Sequence, residues 1–348
     1  MALLVVLANL TAGLGLGAIV LRILDIDKYI SLGEHWILSF AIGFGVLGWL
    51  IFPIGIAGFL SIWVLWTLLF LSTLGVLFLG NRGLPVLVKN LDAISKVLLI
   101  LISITLFFDF IEALAPPFDA DSLAYHFNWP KQFIVDGVIS FIPQAWTGAV
   151  PMLVQMTYIP PLALGGETAL TLWTMFASWI AAAFVFAFCR RHLSLNWSLA
   201  IALIYMTTPA VVYGGGSGQV EPKMALFVLL GAWCLAKYLE TGQLSFVLLA
   251  GLAAGFFAGS KYMGLLFVAA IGLVILFQSG EFRKTFIASI AFGFTALLGG
   301  FQWYAWNAIN TGDPVFPMFF QWLGYNDIEF WSADYSIWFK KNLRLLER

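Results

Sequence analysis

The residues best suited to chemistry lie in one stretch, Pro116-Pro117-Phe118-Asp119-Ala120-Asp121-Ser122-Leu123-Ala124-Tyr125-His126. Two carboxylates stand two residues apart, just after a long apolar run. The prolines end a helix, because proline lacks an N–H and pushes the residue before it out of the helical region. A helix restarting near Ser122 puts Asp121 at its amino end, where the positive end of the peptide dipole favours an anion. A carboxylate placed there can act as a general base or bind a divalent cation such as Mg or Mn. Asp121 and Asp119 are therefore the candidate catalytic residues and the candidate metal ligands. Tyr125 and His126, about one turn on, are candidate substrate contacts. The plainer alternative has Asp121 capping the helix and Asp119 simply solvated.

Three further segments carry polar chemistry. In Tyr213-Gly214-Gly215-Gly216-Ser217-Gly218-Gln219-Val220-Glu221-Pro222-Lys223, glycines let backbone amides approach a ligand, and Lys223 offers a charge for a phosphate. It is not a P-loop, since no Gly-Lys-Ser/Thr ending follows and no strand precedes it. Glu221 and Lys223 are candidate substrate contacts; the alternative is a flexible connector with both residues at a helix start. Lys261, in Gly259-Ser260-Lys261-Tyr262, is an ammonium at the edge of hydrocarbon, which must pair or reach water. It serves either as a contact for a lipid phosphate or as a snorkelling side chain. Finally, Trp303-Tyr304-Ala305-Trp306 fits an interfacial aromatic belt, and Asn310-Thr311-Gly312-Asp313-Pro314 is strong turn chemistry.

The elements that must position these groups are membrane helices. Of the 348 residues, 61% are hydrophobic and 10% charged, against about 25% charged in soluble domains. In lipid every backbone polar group must be satisfied internally, and continuous rather than alternating apolar runs select helices over a barrel. The fold class is all-α: a polytopic bundle of about ten membrane helices. The runs lie near 2–21, 36–57, 59–79, 97–114, 168–188, 195–213, 222–239, 244–259, 262–278 and 285–306. The eighth and ninth meet at Gly259-Ser260-Lys261-Tyr262 as a tight hairpin. A formal net charge of -1 gives no reason to expect a nucleic-acid partner. Cys189 and Cys234 sit in separate apolar runs, against a disulfide framework or thiolate metal site. No removable leader is expected, because the first run lacks a basic start and a small-residue cleavage site.

Basic residues orient the bundle. With the loop 115–167 outside, the inner side holds Arg22, Lys28, Arg82, Lys89, Lys96, Arg190, Arg191, Lys237, Arg283 and Lys284, and the outer side only Lys131, Lys223 and Lys261. This obeys the positive-inside rule and puts the amino terminus outside. Lys340, Lys341, Arg344 and Arg348 lie in a tail that composition does not place; a further crossing or a surface helix both fit. Asp109, Glu112, Asp119, Asp121, Asp136, Glu167, Glu221 and Asp313 gather toward the outer side.

Three of these segments together resemble the polytopic glycosyltransferases of the GT-C fold, in particular bacterial family-39-like members. These enzymes take a sugar from a polyprenyl-phosphate carrier. The first resembling segment is the outer loop Asp119-Ala-Asp121-Ser-Leu-Ala-Tyr125-His126, which continues through Pro130-Lys131 and Gly137. The second is the Gly-Ser-Lys261-Tyr262-Met-Gly hairpin. The third is Asn307-Ala-Ile-Asn-Thr-Gly-Asp-Pro-Val-Phe-Pro, where Trp306 replaces the family's arginine. The resemblance covers about residues 95–320 and divides the chain into a three-span extension at 1–95, a GT-C-like core at 96–310 with the outer loop 115–167, and a tail at 311–348.

It implies an inverting transfer at the outer (periplasmic or lumenal) face of a bacterial inner membrane. Asp121 or Asp119 would be base or metal ligand, and Lys261 and Lys223 phosphate partners. The implied partners are the lipid bilayer and a polyprenyl-phosphate-linked sugar. A different class of reading is a non-catalytic transmembrane subunit, a degenerate transferase scaffold packed against other membrane subunits, with the first three spans as a docking surface. A transporter is disfavoured, because span centres nearly lack charge.

Overall fold

A computed structural model describes residues 1–79, 91–142, 146–278 and 281–324. Its helices are α1 (Ala2–Ile23), α2 (Leu32–Ile56), α3 (Ile62–Leu74), α4 (Ala93–Ala113), α5 (Asn128–Asp136), α6 (Leu153–Met156), α7 (Ile159–Arg190), α8 (Leu195–Thr207), α9 (Pro209–Gly214), α10 (Glu221–Thr241), α11 (Leu244–Ala258), α12 (Gly264–Phe277), α13 (Phe282–Thr311) and α14 (Phe320–Leu323). No strand occurs among the described residues. Seven segments are long and apolar enough to cross a membrane, and α8, α11 and α12 are shorter apolar helices. These are the ten apolar runs of the sequence. Arg82, Lys89 and the basic tail beyond 324 lie outside the described residues.

Two runs differ from the sequence reading. The sixth is broken into α8 and α9, because Pro209 holds Thr208 extended (φ −62°, ψ 128°). The fifth reaches back to Ile159 through a kink at Gly166, whose φ of 76° and ψ of −171° only glycine adopts readily.

Hydrogen bonds sort the connections into two ends. At one end, Ile139 N–H donates to Gly55 O (3.0 Å), Leu60 N–H to Gly137 O (3.3 Å) and Leu153 N–H to Gly259 O (2.9 Å). There too, Thr171 donates to Ala113 O and Asn307 to Ala149 O. This end gathers the α2–α3 turn, the carboxyl ends of α4 and α13, the loop 114–158 and the α11–α12 turn. At the other end Arg191 pairs with Glu34 (2.7 Å), His35 with Asp27 (2.8 Å), and Asn196 with Asp92 (2.8 Å). Of the described basic residues, Arg22, Lys28, Lys96, Arg190, Arg191, Lys237, Arg283 and Lys284 lie on the elements of this second end. Lys131, Lys223 and Lys261 lie on those of the first.

The first three helices are not a separate layer. One apolar core runs from Val5 and Phe44 through Trp173 and Phe227 to Phe256 and Trp303, and α2 is the most buried spanning helix. Close helix approach comes from small residues, the usual device where lipid removes the hydrophobic drive. A Cβ on Gly43 would stand 1.7 Å from Gly13 O, and one on Gly255 would stand 2.3 Å from Ala296 O. By contrast α4 packs only along one side, against α7 and α8, and exposes Ile100, Ile104, Phe107 and Phe108.

Candidate active site

The loop after α4 turns at Pro116-Pro117 and re-enters helix at Asp119. Asp119 Oδ1 accepts the Ser122 N–H (2.9 Å), so Asp119, and not Asp121, does the capping. A π-helical turn, Ser122–His126, follows, closed by Phe127 N–H donating to Ser122 O (3.0 Å). Asp121 makes no cap bond and is exposed, whereas Asp119 is 4% exposed. The plainer alternative is thus inverted: the buried carboxylate, Asp119, is the cap, and Asp121 is the solvated one. Amphipathic α5 comes next, burying Pro130 and Phe133, leaving Lys131 and Gln132 exposed, and ending at Gly137 with φ 72°.

The glycine-rich loop before α10 folds over this turn. Gly218 N–H donates to Ser122 Oγ (2.6 Å), and Tyr158 donates its hydroxyl hydrogen to Gly218 O (3.2 Å). Gly218 has no room for a side chain, since a Cβ would meet Ser122 Oγ at 2.6 Å and His126 Cβ at 2.9 Å. Gln219 then reaches both carboxylates: its Nε2 donates to Asp119 Oδ1 (3.2 Å) and Asp121 Oδ2 (3.3 Å).

That amide bears on the expected cation. Its Nε2 supplies a hydrogen-bond donor, where a cation site would need another oxygen ligand, to one oxygen of each carboxylate. Among the described residues no group of three His, Cys, Asp or Glu is placed to hold a metal ion. The donor set present, two carboxylates joined by an amide donor, does not fit a protein-held Mg or Mn centre at Asp119 and Asp121.

The two lysines have different fates. Lys223 is wholly buried, and its ammonium donates to the carbonyls of Gly214, Gly215, Ser217 and Gln219. It ties the glycine-rich loop together. This corrects its assignment as a phosphate contact: the donors are used and face away from solvent. Lys261, in the α11–α12 turn, keeps 38% side-chain exposure and pairs with Glu221, 50% exposed, on the first turn of α10.

His126 is 1% exposed. Its Nδ1 bonds to Gln155 Nε2 (2.9 Å), and its Nε2 has no partner among the described residues. Burial pushes its pKa down to about 3, so it is a neutral ring and offers a phosphate no charge. Tyr125 packs against it with the rings tilted by 37° and their centroids 4.0 Å apart. Burial, followed by the charges of Asp121, Glu221 and Asp119, pushes the Tyr125 phenol up to about 12, which keeps it a donor. Glu221, Lys261 and Asp119 all bear on His126 electrostatically.

The structure therefore brings Asp119, Asp121, Tyr125, His126, Glu221 and Lys261 into one cluster at the first end, with buried Lys223 within electrostatic reach of Glu221 and Asp119. Sequence reasoning missed Gln219, Gln155, Ser122 and Tyr158. Of these, Ser122 and Gln219 lay inside segments already singled out, and Gln155 and Tyr158 did not.

The Asn307–Pro317 segment is a structural knot beside this cluster. Asn307 Nδ2 donates to Ala149 O (2.8 Å) and to the Tyr262 hydroxyl (2.9 Å), which donates to Phe316 O (2.7 Å). Buried Asp313 accepts the N–H groups of Val315 (2.9 Å) and Phe319 (2.8 Å). Two of the resembling segments, the Lys261-Tyr262 hairpin and this turn, thus hold each other.

Residues 157–325 match the family model of dolichyl-phosphate-mannose-protein mannosyltransferase. The match spans just under half the chain. It contains Glu221, Lys261 and the Asn307–Pro317 knot but begins after Asp119 and Asp121. No curated protein and no solved structure matches the chain. Together with the apolar helices, the match supports a multi-pass membrane glycosyltransferase of the GT-C type.

Proposed function

We propose that this chain transfers a sugar from a polyprenyl-phosphate donor to an acceptor at the outer face of its membrane, taken to be a bacterial inner membrane with the amino terminus outside. What carries the reading is one cluster built from three distant segments, in which Gln219 bonds the solvent-facing carboxylate of Asp121 while Glu221, two residues on, pairs with the surface cation Lys261. In the proposed reaction Asp121 removes the proton from the acceptor hydroxyl as that oxygen attacks the sugar carbon. The bond from that carbon to the phosphate oxygen breaks, and Lys261 holds the released lipid phosphate by a charge-assisted contact. Attack opposite the leaving group inverts the carbon. Asp119 and Gln219 fix the loop that presents Asp121. The sidedness rests on the excess of basic residues at the opposite end.

The test is purified chain in a bilayer with radiolabelled polyprenyl-phosphate sugars. Label released from the lipid, or moved to an acceptor, supports the reading. Intact donor with every sugar tried favours the non-catalytic subunit, and a co-purifying membrane partner seated over the cluster would strengthen that alternative.

A further inference from the structure

Among the described residues the cluster holds three carboxylates, Asp119, Asp121 and Glu221, and one cation that reaches the surface, Lys261. Lys223 offers nothing further, being buried against four carbonyls. Among the described residues, Lys261 is the cation that an anion entering the cluster meets, and it is already paired with Glu221.

That pair is not what holds its turn. Lys261 N–H donates to Phe257 O (3.0 Å), Gly264 N–H to Lys261 O (2.9 Å), and Ser260 Oγ to Phe256 O (2.7 Å), while the adjacent Tyr262 is anchored on Phe316 O. An ion pair between two half-exposed side chains adds little stability and can readily exchange partners. Its consequence is electrostatic: a phosphate bound by Lys261 sits beside the Glu221 carboxylate.

We propose that Glu221 is a specificity-determining residue. It shares Lys261 with the incoming phosphate and restricts the site to prenyl ligands carrying one negative charge, a phosphodiester, against diphosphates. This rests on Lys261 being the phosphate contact. A carboxylate about 6 Å from the ligand, at an effective dielectric of about 40, opposes each additional ligand charge by about tenfold in affinity.

The experiment uses the full chain in nanodiscs of phosphatidylcholine, with no anionic lipid to compete. Two probes are titrated, methyl farnesyl phosphate and farnesyl diphosphate. Wild type should bind the phosphodiester at least about tenfold more tightly. Glu221→Gln should narrow that ratio by about ten- to a hundredfold, for the one to two extra charges of the diphosphate, chiefly by gaining affinity for it. Glu221→Asp, which keeps the charge, should retain the wild-type preference. An unchanged ratio in Glu221→Gln, with Lys261→Met losing both ligands, overturns the role of Glu221 and leaves the Lys261 contact standing. No binding to wild type, or equal binding to Lys261→Met, overturns both. Should Glu221→Gln melt too low to assay, wild type is titrated at about 0.01 M and about 1 M salt, where screening lengths are about 30 and 3 Å. The preference must then shrink with salt, and a salt-independent ratio overturns the proposal.

Discussion

Replacing Lys223 with methionine separates a structural lysine from a ligand-binding one. The ammonium donates to four loop carbonyls from a wholly buried position. Leaving buried acceptors unpaired costs about 1–3 kcal/mol each. Water entering from the loop side offsets part of that loss, and removing a buried charge returns several kcal/mol of desolvation. The expected net loss is about 3 kcal/mol. At an unfolding entropy of about 2.1 cal/mol/K per residue, that lowers the melting midpoint of this chain by about 4 °C. Lys261→Met is the control: its midpoint should stay near wild type, while affinity for a prenyl phosphate falls about ten- to a hundred-fold. Differential scanning fluorimetry and ligand titration of both variants decide the matter. A Lys223→Met protein that melts like wild type but loses the phosphate would refute the loop-tie reasoning and restore Lys223 as a ligand.

Three further outcomes are expected. The His126 pKa is pushed from 6.5 to about 3 in the folded chain, so the unfolded chain binds the extra proton and stability falls as pH drops below about 6.5. The loss reaches about 2 kcal/mol by pH 5, and His126→Gln should flatten that part of the stability–pH curve. Gly43→Ala must push α1 from α2, since its Cβ would lie 1.7 Å from Gly13 O, and should cost at least about 1–3 kcal/mol in chemical denaturation. Single cysteines at Ser140 and Ser194, with Cys189 and Cys234 replaced, should react with an impermeant reagent from opposite sides; labelling from one side would contradict the topology.

The ten apolar runs and the two ends of the bundle were legible because lipid imposes length and continuity on a spanning helix. The break at Thr208-Pro209 was also written in the sequence, but an unbroken apolar run hides it. The roles of Asp119 and Asp121 were not legible. Which of two carboxylates caps depends on the residue where the chain re-enters helix, and a two-residue shift of that point makes Asp119 rather than Asp121 the buried cap. Nor could Lys223 and Lys261 be told apart by type or side. Their difference arises from glycine carbonyls that close around one ammonium and from Glu221 reaching the other. Gln219 could not be assigned at all, because its partners are about a hundred residues away in the chain.

The proposed chemistry depends on Asp121, which is solvated and caps nothing. Asp121→Asn retains the size of the side chain and can still bond Gln219, so the melting midpoint should not move. Transfer from a polyprenyl-phosphate sugar should fall about 10²–10⁴-fold through loss of the base. Parallel measurement of midpoint and transfer rate in wild type and Asp121→Asn is the most direct test. An active wild type with an unimpaired Asp121→Asn variant would contradict the assignment of the base.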